Sequence, residues 1–213
     1  MQNKHSKLPL LFALLLSISS IFSQSNEINP DILKLKAPEK FKAKFETTQG
    51  DFEVSIERKF SPMAVDRFYQ LIKSGYFTDI PIYRVVKNFV AQFGTVDGAL
   101  DSAWSKHIII DEPVKMSNDT GTIAFARAGK NTRGTTLFIN LKNNSRLDTV
   151  SYGETLGFPP FGKVTTGLDV IYKFYDGYGD EPRLKLDSVP NAREFLKKNY
   201  PKLEYIKKAW VLE

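Results

Sequence analysis

The stretch FKAKFETTQGDFEVSIE, residues 41 to 57, constrains the fold more than any other. Phe41, Ala43 and Phe45 alternate with polar residues, and after a turn at Gln49 and Gly50 so do Phe52, Val54 and Ile56. Successive side chains on a strand point to opposite faces, so this spacing predicts a hairpin with one buried face. A hairpin alone is marginal in water and needs further strands. They follow in PIYRVVKNFVAQFG, read as a strand, a corner and a second strand. GTIAFARAG and TTLFINL come next, joined by the loop AGKNTRG, then PPFGKV and the closing LEYIKKAWVLE.

Helical signals are fewer. In SPMAVDRFYQLIKSG, Ser61 stands at the N-cap, Pro62 at the first helical position, Val65, Phe68 and Ile72 make the stripe, and Gly75 closes it. TGLDVIYKFYDG repeats the pattern with Leu168, Ile171, Tyr172 and Tyr175. NAREFLKKNYP is shorter, with Asn191 and Glu194 as a capping box and Pro201 as the stop. Many short strands with few helices predict a mainly β domain, a closed antiparallel barrel without exposed edges. No internal repeat and no domain break is visible after residue 40. Residues 24–40, with Pro30 and Pro38, read as a tether.

Residues 1–23 carry a different signal. Lys4 and Lys7 precede the 15-residue apolar run LPLLFALLLSISSIF, and Ser23 and Gln24 offer a small-residue cleavage site. A membrane span needs about 20 apolar residues. The pattern predicts a cleaved secretory signal peptide, hence export to a periplasm or the outside, with no stable membrane insertion once it is removed. The chain of 213 residues has no cysteine, which excludes disulfides, a thiol nucleophile and lipidation through Cys. The net charge is +6, about +4 without Lys4 and Lys7, and the basic residues are scattered. That predicts a solvated surface and no nucleic-acid binding. NDT at Asn118 and NNS at Asn143 match the glycosylation sequon, which matters only in a eukaryotic secretory pathway.

Most catalytic constellations are missing. With the leader set aside, His107 is the only histidine, so no zinc set can be assembled and no cofactor or metal is expected. Neither GKNTRG nor GYGD is a phosphate-binding fingerprint, and GTTLF lacks the serine of a nucleophile elbow. Yet Arg84 stands among Ile82, Tyr83, Val85 and Val86, and Gln92 in an apolar run. A guanidinium there needs water, a carboxylate or a function. One chemistry requires no nucleophile, metal or cofactor: rotation about an X–Pro bond, slow because the amide has double-bond character.

The blocks IYRVVKNFVAQFG, GTIAFARAGKNTRGTTLFINLKNNSRLD and PFGKVTTGLDVIYKF, in this order, resemble those of the cyclophilin family, and the hairpin and first helix match its start. The resemblance covers about residues 41 to 175. It implies a closed eight-stranded antiparallel barrel capped by two α-helices, here with a short helical C-terminal extension, residues 176–213, packed on the barrel. It implies a monomeric peptidyl-prolyl cis–trans isomerase, a rotamase that assists folding of exported, proline-containing chains. Arg84 falls on the catalytic arginine, Gln92 on the glutamine that contacts substrate backbone and helps hold the arginine, and Phe89, Val90, Phe138 and Leu147 on the proline pocket. Ala126 and Arg127 fall on the segment whose backbone pairs with the peptide.

There are departures. Tyr83 replaces a frequent His, Thr136 a glutamine and Arg146 a tryptophan or other bulky apolar residue, and no histidine follows in DTVSYGETLGF. Thr136 and Arg146 are therefore expected among the substrate-binding positions, and weak binding of the cyclic peptide cyclosporin is expected. The alternative is a catalytically weak peptide-binding or chaperone module on the same fold.

Overall fold

The computed structural model describes residues 27–94, 98–152, 154–186, 188–189 and 191–212. The expected leader, residues 1–23, lies outside these. The element order is α1 (Pro30–Lys34), β1 (Lys40–Thr47), β2 (Asp51–Glu57), α2 (Pro62–Lys73), β3 (Ile80–Pro81), β4 (Arg84–Val86), β5 (Val90–Phe93) and α3 (Gly98–Ser105). Then come β6 (Thr122–Phe125), β7 (Leu137–Asn140), a 3₁₀ turn at Ser145–Asp148, β8 (Ser151–Tyr152), β9 (Thr155–Leu156), β10 (Pro160–Thr166) and α4 (Leu168–Ile171). Last are α5 (Glu181–Leu186), α6 (Ala192–Asn199) and β11 (Tyr205–Leu212).

Nine strands form one antiparallel sheet in the order β3-β11-β1-β2-β10-β6-β7-β5-β4, and β8 with β9 make a separate small hairpin. The family resemblance implies eight strands. The ninth arises because the extended stretch from residue 80 to 86 changes partner at Ile82 and Tyr83. Ile80 and Pro81 pair with β11, whereas Arg84 to Val86 pair with β5. The two ends of the sheet are thus only two residues apart in the chain, a gap of at most about 10 Å. The sheet must curl until its ends approach.

The inner face is aromatic. Phe45 stacks on Phe52 with ring centroids 4.8 Å apart, and Phe68, Phe77, Phe93, Phe125 and Phe161 complete the centre. Each such ring, fully buried, contributes about 1.5–3 kcal/mol. Helix α2 closes one end through Val65, Phe68, Leu71 and Ile72. Its first turn is satisfied from a distance. Ser61 makes no capping bond of its own; the Glu112 carboxylate accepts from the N–H groups of Met63 (2.9 Å) and Ala64 (3.2 Å) and from the Ser61 hydroxyl.

The second helix is shorter than its stripe predicts. α4 stops at Ile171, and Tyr172 stands exposed beyond it. Against an expectation of two capping helices and a third in the C-terminal extension, six α-helices appear among the described residues. α1, α3 and α5 are short and carry no clear apolar stripe, so periodicity does not reveal them. Within 24–40, α1 is tied down, because Gln70 Nε2 donates to the carbonyls of Leu33 and Leu35, 3.0 Å each. The chain beyond residue 175 is partly laid on the sheet and partly woven into it. β11 pairs with β1 on one side and β3 on the other, so a domain boundary at 175 would cut through the sheet.

Candidate active site

Four adjacent strands place the site. Register sets Ala124 opposite Phe138, Phe138 opposite Gln92 and Gln92 opposite Arg84. The row therefore runs straight across β6, β7, β5 and β4 on one face. The neighbouring row, Ile123, Ile139, Ala91 and Val85, faces the main core. Sheet buried on both faces reads as continuous apolar sequence, and Gln92 is the polar exception within it.

Outside the main core, Val90, Ala124, Phe138 and Leu147 form a second apolar cluster, with Phe89, Ala126, Val150 and Phe158 packed against it. This cluster is the floor of a cleft of about 810 Å³. Arg84, Phe89, Val90, Gln92, Ala126, Arg127, Thr136, Phe138 and Leu147 all line it. Of the residues expected from the sequence, only Arg146 is not part of the lining. It is exposed, with its guanidinium 4.9 Å from the Phe89 ring.

The Arg84 side chain is part-buried. Its Nη1 donates to Gln92 Oε1 at 3.2 Å, its guanidinium lies 5.5 Å from the Phe89 ring, and its Nε donates to Asp180. Gln92 is buried and has its carbonyl oxygen turned to the arginine. Phe89 lies in the corner between β4 and β5, outside the alternation, so strand parity could not place it. Its carbonyl accepts from Leu141 N–H (2.8 Å) and Asn144 Nδ2 (2.8 Å).

That second bond belongs to a buried polar network supporting the cleft. Asn144 also donates to Asn140, Asn140 to Asn118, and Asn118 to Asp148 and to the Phe158 carbonyl. The network fixes the turn carrying Leu147 and the segment carrying Phe158. Asn118, one of the two sequon asparagines, is fully buried in it.

Arg127 lines the cleft, but its guanidinium is withdrawn from water. It donates to the Gly157 carbonyl, pairs with Asp111 at 3.5 Å, and lies 4.8 Å from the Phe158 ring. Burial lowers its pKa from the usual arginine value, opposed by Asp111 and reinforced by Arg133. It is a strut for the 157–158 segment. Ala126 donates its N–H to the Thr136 carbonyl at 2.9 Å.

Sequence reasoning missed part of the lining. Phe158 stands edge-on to Phe138 at 5.9 Å, in the segment DTVSYGETLGF whose alignment carried no familiar histidine. Asp101 and Ser105 come from α3. Asp180, Arg183, Leu184 and Leu186 come from the C-terminal extension, which no motif connected with the site. Among the described residues, no group of three or more His, Cys, Asp or Glu is placed to hold a metal ion.

The sequence model of the family described as cyclophilin type peptidyl-prolyl cis-trans isomerase/CLD matches residues 42–193, well over half of the chain. The chain belongs to the cyclophilin-type peptidyl-prolyl cis-trans isomerase family. It is 31% identical over 135 residues to a peptidyl-prolyl cis-trans isomerase-like 2 of Gibberella zeae, an alignment covering 62% of this chain and 22% of that protein. The chain thus spans about a fifth of the length of that relative. A crystal structure of a Cryptosporidium parvum cyclophilin-type isomerase superposes with a TM-score of 0.59 at 18% identity, covering 82% of this chain and 98% of that one. A second crystal structure of that protein, titled as being in the presence of the dipeptide Ala-Pro, gives 0.57 at 18% identity, covering 81% and 99%. The fold is the mainly β cyclophilin fold.

Proposed function

We propose that the protein is a peptidyl-prolyl cis–trans isomerase and that Arg84 is its electrostatic element. One observation carries this reading: the row Ala124, Phe138, Gln92, Arg84 sets a held guanidinium beside an apolar floor on one sheet face. The uncatalysed barrier of about 18–20 kcal/mol reflects amide resonance. As the C–N bond twists, the prolyl nitrogen regains a lone pair, and an N–H donor aimed there stabilises the twisted state more than the planar one. The Phe138, Leu147 and Val90 surface suits the pyrrolidine ring. The Ala126–Arg127 segment offers backbone to the peptide through its carbonyls, since the Ala126 N–H is engaged.

Taken as one kinked strand, β3 and β4 reduce the nine strands to eight and close the sheet into a barrel. The substrates proposed are proline-containing polypeptides; the Ala-Pro dipeptide named for the Cryptosporidium protein supports that class. Residues 1–23 support export, so the clients would be exported chains and the isomerase a monomer in a periplasm or outside the cell. N-terminal sequencing of the protein recovered from a fractionated cell should begin near Gln24; an intact Met1 end there would remove the export reading.

The test of the activity is a protease-coupled assay on a short Ala–Pro peptide. Arg84→Ala should lose about 10²–10³ in rate, the value of one preorganised donor. Arg84→Lys should not restore it, because a point charge lacks the planar fork. A folded Arg84→Ala that keeps more than half the activity would refute the mechanism. Removal of metals with a chelator should leave the rate unchanged.

A further inference from the structure

The extension lines the cleft and meets Arg84 itself through a hydrogen bond. Asp180, the residue before α5, takes the hydrogen bond from Arg84 Nε, 96 positions away in sequence. Its own position is held by packing. Tyr178 sits edge-on to Tyr175 (4.8 Å) and Tyr200 (5.0 Å), and Tyr200 Oη donates to Glu181 at 3.1 Å. Leu184 N–H donates to the Asp180 carbonyl at 3.2 Å, and Pro182 is buried.

A second observation, independent of the ion pair, ties the same segment to the same strand. Tyr83 immediately precedes Arg84 and is 2% exposed. It is buried not in the main core but in a satellite cluster with Leu196, Tyr200 and Leu203, with Tyr178 and Leu186 packed against it. The extension therefore grips this strand at two successive residues, Tyr83 by apolar contact and Arg84 by charge.

From this geometry we infer that Asp180 is a positioning residue for Arg84, which would make the C-terminal extension part of the catalytic apparatus rather than an appendage. The inference rests on the isomerase reading above. A guanidinium is a rigid planar fork with donors on three nitrogens. Gln92 holds Nη1 and Asp180 holds Nε, with the Phe89 ring nearby. Among the described residues, Nη2 has no hydrogen-bond partner. Anchoring two nitrogens fixes the plane of the fork and leaves the third to donate to substrate. A donor held in place in advance costs no reorganisation when the amide twists. The Asp180 side chain is 55% exposed, so water screens its charge, and its effect is one of geometry more than of field.

Asp180→Ala and Asp180→Asn separate the readings. Asparagine keeps an oxygen that accepts from Nε, whereas alanine removes it. Asp180→Ala should lower kcat about tenfold with KM within twofold, and Asp180→Asn should retain at least half of kcat. In an Arg84→Ala background, Asp180→Ala should change nothing further. An Asp180→Ala protein as active as the unmodified one would reduce the contact to a surface ion pair. A more active one would mean that the carboxylate restrains the arginine, and loss of equal size in Asp180→Asn would mean that charge, not position, matters. Each of these outcomes overturns the inference.

The Arg84 Nε–H resonance in an NMR spectrum gives a readout free of activity. It should be slow to exchange in the unmodified and Asp180→Asn proteins and fast in Asp180→Ala; equal exchange in all three would also overturn the inference. If the unmodified protein does not isomerise peptides, the functional reading fails while this anchor is still measured. Thermal melting of both variants within a few degrees of the unmodified protein would confirm that the fold is kept; a folded state lost in Asp180→Ala alone shifts the test to Asp180→Asn against Asp180→Leu by the same resonance.

Discussion

Tyr205 opens β11 with its hydroxyl buried and, among the described residues, without a hydrogen-bond partner. Burial, then the nearby Asp79, pushes its pKa up to about 12, against the pull of Arg193. The unfolded tyrosine ionises near 10, so between about pH 10 and 12 the folded state holds a proton that the unfolded state has released. Stability therefore falls as pH rises through this window. Tyr205→Phe removes an unsatisfied buried group and should stabilise the protein by about 1 kcal/mol at pH 7. It should also flatten the alkaline loss, both read from urea denaturation at pH 7 and pH 11. The Lys197 contact over the ring, 5.4 Å, is available to phenylalanine as well. Arg146, which lies over the Phe89 ring, is the residue proposed to weaken cyclosporin binding, since a guanidinium offers no rigid apolar plate and its desolvation is costly. Arg146→Trp should tighten cyclosporin by about 1–2 kcal/mol, as calorimetry would measure; unchanged affinity would show that Arg146 lies away from the ligand.

At the scale of elements, the start of α2 depends on a residue 48 to 49 positions downstream. Glu112 accepts from Met63 N–H, Ala64 N–H and the Ser61 hydroxyl, and pairs with the fully buried Arg133 at 3.0 Å. Its carboxylate thus answers the orphan N–H groups of a helix N-terminus and a buried cation together. Glu112→Ala leaves the helix N–H groups without this acceptor and Arg133 with Asp111, at 3.6 Å, as its remaining carboxylate; the lost cap and the weakened buried pair together should cost about 3 kcal/mol of unfolding free energy. Glu112→Gln, which retains one acceptor, should cost less. Denaturant titration measures both; a loss below about 1 kcal/mol for alanine would show that water replaces the cap. The serine at the N-cap position was legible in sequence, but the group that does the capping was not, because nothing local links residue 112 to residue 63.

For the whole molecule, the C-terminal segment decides whether β1 is joined to β3 in the sheet. β11 is hydrogen-bonded on both sides, to β1 and to β3, and Ile206 lies in the main core. Removing residues 176–213 strips the backbone bonds of two strands and opens the main core. The truncated chain should show no cooperative thermal unfolding by circular dichroism; melting like that of the full chain would show the segment to be dispensable. Local pattern was enough for the first hairpin, for β5 to β7, for α6 with its Asn191 cap, and for Arg84 and Gln92 as polar residues out of place in apolar strands. Alternation, caps and turns act between neighbours in the chain, so a sequence read by itself determines them. The family resemblance of its motifs, rather than local pattern, pointed to Val90, Phe138 and Leu147, which lie in the cleft floor. Only the tertiary structure decided that the stretch 80–86 divides between two partners, that Phe158 packs against Phe138, and that Asp180 meets Arg84. The pairing of Ile80 with Ile206, the Phe138–Phe158 contact and the Arg84–Asp180 bond join residues 20 or more positions apart, and they exist because the curling sheet, and not any local preference, sets which segments become neighbours.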